Sequence, residues 1–158
     1  MENYPDKELL EKLIRQIIEE KVSGVKNNNQ GKDFVAERDR SGVTSVKLRT
    51  VKVDHSNKLD TGKTIDEVYT KDVLTLEESP RLGCGIMVMR ETTFPWTLNY
   101  DEIDYVIEGH LDIIINGNKI SANPGEIIFI PKGSSIQFSV PNYARFMYVT
   151  YPADWATQ

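Results

Sequence analysis

The chain has 158 residues, with 19 Lys and Arg against 24 Asp and Glu, a formal net charge of -5 and 39% hydrophobic residues. That size suits one domain with a core plus a short appendage, and the acidic balance leaves no basic face to neutralise nucleic-acid phosphates. The single cysteine, Cys84, excludes an internal disulfide and fits a reducing compartment. No apolar run approaches the ~20 residues of a membrane-spanning helix, and the N-terminus does not read as a secretory signal. The sequence therefore predicts a cytoplasmic protein without nucleic-acid or membrane partners.

In chain order, "DKELLEKLIRQIIEEKV" sets Leu9, Leu10, Leu13, Ile14, Ile17, Ile18 and Val22 at helical spacing. Asp6 ahead of the run and Lys21 near its end complement the helix dipole. "SGVKNNNQGKD", Ser23 to Asp33, has the Gly and Asn content of a flexible linker. From Ser41 onward the period becomes that of strands, in "VTSVKLRTVKV", "YVIEGHLDIIINGNKI" and "IIFIPKGSSIQFSV". "NGN" at Asn116–Asn118 predicts a hairpin turn, because Asn-Gly tolerates the positive φ a two-residue loop requires. "NPGE" at Asn123–Glu126 predicts a second turn, and "TLEES", Thr75–Ser79, a short helix stopped by Pro80. Many short strands without intervening helices predict a closed all-β barrel or sandwich. The chain thus divides into an amphipathic helix at 1–24, a linker at 25–40 and a β-domain at 41–158.

Two constellations now coincide. One is Glu102 followed after six residues by Gly109. The other is Gly125, Pro131 and Gly133 within "GEIIFIPKGSSIQFSV". Together they resemble the paired motifs of the cupin superfamily, whose jelly-roll (RmlC-like) barrel usually binds a metal through three histidines and a glutamate. Here the first-motif histidine places fall on Trp96 and Leu98, or on Pro95 and Thr97. The second-motif histidine place falls on Ile136 and the asparagine place on Val140. With two histidines in all, His55 and His110, the chain has no three-histidine site to build, and Glu102 alone stands at a metal-ligand position.

Strand alternation links Glu102 to its neighbours. If Glu102 faces inward, so do Asp104 and Tyr100, while Ile103, Tyr105 and Ile107 face outward. A buried glutamate is commonly a hydrogen-bonded structural residue. Two inward carboxyls also raise one another's pKa, which prepares a group for proton transfer, or they offer oxygen ligands to a hard cation. The outward apolar set predicts a homodimer contact. Trp96 is read as a pocket wall, Trp155 as an anchor for the last segment, Cys84 as a small core residue and His110 as a hairpin residue.

The strings "FPWTLNYDEIDYVIEG", "FIPKGSSIQF", "RFMYVTYPADW" and "VYTKDVLTLEESPRLGCG" resemble the EutQ family of bacterial ethanolamine utilisation over about Gly42 to Trp155. That resemblance implies association with the ethanolamine microcompartment and an acetate kinase activity, with Mg²⁺ and ATP or ADP as cofactors. Family members with a longer N-terminal domain exist. For a kinase, Glu102 and Asp104 are the candidate catalytic residues, Trp96 and Tyr100 line the substrate, and Lys132 and Arg145 are candidate phosphate partners. "LDTGKT", Leu59–Thr64, ends like a phosphate loop, but it has Asn57 where the first glycine belongs and lies among strands. The helix with its linker resembles the peptides that carry cargo to microcompartment shells, the alternative being a helix folded back on the barrel as a cap. Three readings stay open: an acetate kinase, a module binding a small metabolite without turnover, and an assembly factor acting through its helix and dimer surface.

Overall fold

The structure, a computed structural model, describes residues 11–17 and 33–157. The described chain up to Leu48 belongs to one compact unit and that from Arg49 to a second. In the first, residues 11–17 are helical, with Leu13, Ile14 and Ile17 exposed. The rest of the predicted stripe (Leu9, Leu10, Ile18 and Val22) and the Asn-rich segment lie outside the described residues. Ala36–Arg38 (β1) and Thr44–Val46 (β2) pair as an antiparallel hairpin, whose turn is set by Gly42 at φ 92 and by Ser41 N–H donating to the Asp39 carboxylate. Among the described residues strand structure therefore begins at Ala36, inside the stretch read as linker.

The alternation of Val43–Val53 predicts one strand, but the strand ends at Val46. Leu48–Thr50 is a 3-10 turn. Beyond it, Val51 is buried, and its carbonyl accepts from the Arg145 guanidinium at 2.9 Å rather than from a neighbouring strand. Alternation reports burial on one side of a segment, and a side chain can supply the backbone partner instead of a ladder.

The second unit is a β-barrel of seven strands: Glu67–Asp72 (β3), Gly83–Thr97 (β4), Asp101–Gly109 (β5), Leu111–Ile115 (β6), Asn118–Ala122 (β7), Ile127–Ile130 (β8) and Ser135–Tyr151 (β9). Their order is β3-β4-β9-β5-β8, with β6 joining β7 to β9. The long β9 is the seam. Its whole length pairs with β4, its second half with β5 and its first half with β6. This is the cupin jelly roll the motifs implied. The predicted turns are present. Asn116 and Gly117 both take positive φ, 51 and 79, and Glu126 N–H donates to the Asn123 carbonyl at 3.0 Å. Thr75–Ser79 is a correction. Thr75 and Glu78 cap each other reciprocally, yet the segment closes only a single turn, from Ser79 N–H to the Thr75 carbonyl. One turn fixes too many dihedrals per hydrogen bond to continue as a helix.

A bulge decides which side chains enter the barrel. The β4–β9 register slips between Arg90 and Thr92, where Glu91 has φ 40. Before it, the odd residues Met87 and Met89 join the core, and after it the even residues Phe94 and Leu98 do. An extra residue in one strand reverses the phase and bends it. Along β9 the even positions Phe138, Val140, Ala144, Phe146 and Tyr148 face the core. Among the described residues no helix is long and apolar enough to cross a membrane.

Candidate functional site

The strand β5 presents its acidic residues as the alternation required. Glu102 is 4% exposed and Asp104 0%, whereas Ile103 and Tyr105 are 41% and 38% exposed. Tyr100 is buried on the same side, at 3%. Across the sheet Glu102 lies opposite Thr150 and Ile130, and Asp104 opposite Tyr148 and Ile128.

A cavity opens above Glu102, lined chiefly by aromatic rings: Phe94, Trp96, Tyr100, Phe138, Tyr148 and Trp155, with Leu59 and Met87 completing it. The lining residues that keep some exposure, Leu59, Trp96 and Trp155, mark its mouth. The rings brace one another. Trp96 Nε1–H donates to the Tyr100 hydroxyl at 2.8 Å, and Trp155 stands edge-on to both Tyr100 and Tyr148. The free space is small, about 10 Å³ open to the centre of a water molecule, which is room for about one water.

The metal-ligand places of the cupin pattern carry other chemistry here. Of the two pairings the spacing left open, Trp96 and Leu98 face inward, while Pro95 and Thr97 are exposed. Ile136 and Val140 are buried core residues, and Ile136 pairs directly with Trp96. Apolar side chains fill the space that imidazoles would occupy.

Burial pushes the Glu102 carboxyl up to about 7, partly offset by its interaction with Asp104. Asp104 is raised well above the usual range, first by burial and then by the Glu102 charge. Oε1 of Glu102 and both carboxyl oxygens of Asp104 have no hydrogen-bond partner of ordinary length and angle among the described residues. Two such groups in a dry interior cannot both ionise cheaply, so burial and the neighbouring carboxyl together oppose charge at this pair. Behind the cavity the Tyr148 hydroxyl donates to Asp72 at 2.6 Å, and burial drives its pKa far up.

The other candidates lie elsewhere. Lys132 is exposed in the β8–β9 turn, where its backbone N–H donates to the Asp101 carboxylate at 2.8 Å. Arg145 is on the outer face of β9, bonded to Val51. Neither lines the cavity. "LDTGKT" leads into the strand β3 rather than a helix, and its Gly62 N–H and Thr61 hydroxyl are used locally by Asp60 and Asp66. Cys84 is partly buried in β4, and its thiol is raised by burial and then by Asp72. His110 sits after the β5 turn against Asn123 and Asp112.

Met87, Phe94, Phe138, Tyr148 and Thr150 were missed from sequence. The phase of "RFMYVTY" is ambiguous on its own, but a signal was present in "GCG". A Cβ on Gly83 would stand 2.2 Å from Thr150 Oγ1, and one on Gly85 2.2 Å from the Tyr148 hydroxyl. Glycines two apart on one face of a strand mark bulky neighbours across it.

Fold and pocket define a cupin barrel whose interior holds carboxyls and aromatic rings instead of imidazoles. The model of the family "Ethanolamine utilisation protein EutQ" matches residues 5–157, and the chain belongs to that family. It is 71% identical over 153 residues to acetate kinase EutQ of Clostridioides difficile (strain 630), covering 97% of this chain and 96% of the relative. The structure of the Clostridium difficile EutQ protein superposes with a TM-score of 0.79 and 73% identity, over 80% of this chain and 93% of that one. The Schizosaccharomyces pombe Cnp3 cupin domain superposes with a TM-score of 0.50 at 11% identity, over 72% of this chain and 77% of that one, a likeness of fold alone. The chain spans about two thirds of the length of two further relatives that it matches.

Proposed function

We propose that this protein of ethanolamine utilisation is an acetate kinase, converting acetyl phosphate and ADP to acetate and ATP. The supporting observation is its 71% identity, over nearly the full length of both chains, to a relative named acetate kinase. In this reading Glu102 and Asp104 are the catalytic carboxyls and Trp96 and Tyr100 contact the substrate; Lys132, in the β8–β9 turn, and Arg145, on the outer face of β9, do not line that cavity and are given no phosphate role. Carboxylate oxygens suit Mg²⁺ by donor type, but Mg²⁺ keeps several waters, and the cavity has room for about one. The narrow cavity therefore does not fit the ion with its nucleotide, and no step is assigned to it there. The purified protein should form ATP from acetyl phosphate and ADP, and Glu102→Gln should lower the rate at least ~100-fold. No turnover by the wild type removes the kinase reading.

A second reading, a non-catalytic binding or assembly protein, is supported by the absence of Lys and Arg from the cavity lining among the described residues. It carries two interaction proposals. Ile103 and Tyr105 on β5 pair with Phe129 and Ile127 on β8, and all are exposed; this continuous apolar face on the last strand of the sheet suits an isologous dimer. The exposed stripe of Leu13, Ile14 and Ile17 suits docking on a microcompartment shell protein through i, i+3, i+4 anchors. Light scattering should report a dimer. Deleting residues 1–24 should remove co-purification with shells while the barrel still melts cooperatively near its original temperature.

A further inference from the structure

The barrel cavity combines features that select a ligand class. Its walls are aromatic faces and edges from Phe94, Trp96, Tyr100, Phe138, Tyr148 and Trp155. Among the described residues its only charged lining group is the Glu102 carboxyl, whose Oε1 is buried without a hydrogen-bond partner of ordinary geometry. Asp104 stands two residues further along the same face, fully buried. Among the described residues no Lys, Arg or His lines the space. Each of these disfavours an anion. A phosphate or carboxylate here would meet a carboxyl and the negative faces of π-systems with no donor cation to offset them.

The same features suit a cation. Aromatic rings around a desolvated positive charge attract it through their quadrupoles, most strongly for Trp. An unpartnered carboxylate accepts a charge-assisted hydrogen bond from it. Size then narrows the class. With about 10 Å³ open to water centres, the cavity admits a head group about as large as one water. A primary ammonium is of that size and carries three donors; a trimethylammonium is far larger. The partly exposed Leu59, Trp96 and Trp155 leave the mouth free for a short tail.

We propose that the barrel cavity is a binding site for a small primary ammonium ion, its head group on Glu102 within the aromatic walls and its tail at the Trp96–Trp155 mouth. The family is one of ethanolamine utilisation, and protonated ethanolamine belongs to this class. This occupant competes with the kinase reading for Glu102, Trp96 and Tyr100, but its binding involves no phosphoryl transfer, so failure to bind and failure to turn over are separate results.

The test is a titration of the full-length protein with ethylammonium chloride at pH 8, without nucleotide, followed by calorimetry and tryptophan fluorescence. The chain has two tryptophans, Trp96 and Trp155, and both line the cavity, so a bound head group reports directly. Saturable binding with a fluorescence change is expected, weakened at least ~10-fold in Glu102→Gln by loss of the charged acceptor. Ethanol, tetramethylammonium chloride, potassium chloride and acetyl phosphate at equal concentration should not produce it. These wild-type comparisons decide the matter even if the variant does not fold. Absence of saturable ethylammonium binding, equal binding by ethanol, tetramethylammonium, potassium or acetyl phosphate, or unchanged affinity in a folded Glu102→Gln protein would each overturn the proposal.

Discussion

Two buried acidic sites in this barrel behave in opposite ways. Asp104 and Asp112 are both shielded from solvent contact, at 0% and 2% exposure, Asp104 deep in the barrel and Asp112 just beneath half-exposed His110 and Lys119. Asp104, beside Glu102, has no hydrogen-bond partner of ordinary geometry among the described residues and is raised well above the usual carboxyl range. Asp112 accepts from Lys119 Nζ at 2.8 Å and from the Ser121 hydroxyl at 2.6 Å, and lies 2.9 Å from His110 Nε2. Burial works to raise it, but the bonds from Lys119, Ser121 and His110 outweigh that, and its pKa is lowered. Burial sets the penalty for charge, and the partners decide whether charge survives. One site is a settled ion cluster at the barrel surface. The other is left for a ligand or a proton.

The largest consequence is in pH dependence. The Glu102 carboxyl is raised from 4.5 to about 7 in the folded protein. Its favourable contribution is therefore fully present below its unfolded value and is lost as pH rises through about 7. Asp104 has the same sign. The melting temperature should fall between pH 5 and pH 8, by the equivalent of roughly 2–3 kcal/mol. Glu102→Gln should flatten that slope. A melting temperature that rises over this range would show that the pair is ionised and partnered.

The same substitution at the two sites should then have opposite signs. Asp112→Asn removes the charge that three donors address and should destabilise by about 2 kcal/mol at pH 8. Asp104→Asn replaces a buried acid that no cation or donor of ordinary geometry addresses among the described residues, and should be neutral or stabilising by about 1 kcal/mol. Chemical denaturation of both variants under one condition is the comparison to make, and equal losses would erase the distinction.

The smallest effect belongs to His110. Its pKa is raised, first by the bond with Asn123 and then, against burial, by Asp112. Its contribution is thus present below the ordinary histidine value and lost as pH rises through the folded one. Because the ring is 39% exposed, His110→Ala should lose at most about 0.5 kcal/mol at pH 6 after solvent screening. The loss should shrink towards pH 9. A loss that grows with pH would place the neutral ring, not the ion pair, at the centre of the cluster.

Much of the barrel was legible from the chain alone, because turns and alternation are local. Asn116-Gly117 and the Asn123–Glu126 turn announce themselves through residues that accept the required backbone. The order Tyr100, Glu102, Asp104 within one β-run was enough to put these side chains on one face. What could not be read locally was the phase of strands interrupted by a bulge. Glu91 reverses β4, so Met87 and Phe94 line one cavity although they differ in parity. The phase of β9 depended on its pairing with β4 and β5, which brought Tyr148 and Thr150 inward and turned Arg145 away. The spacing of the motifs alone also determined that three histidines were missing. Only the tertiary structure decided what took their place, because a cavity wall is assembled from strands distant in sequence, and its polarity is the sum of side chains that never meet along the chain.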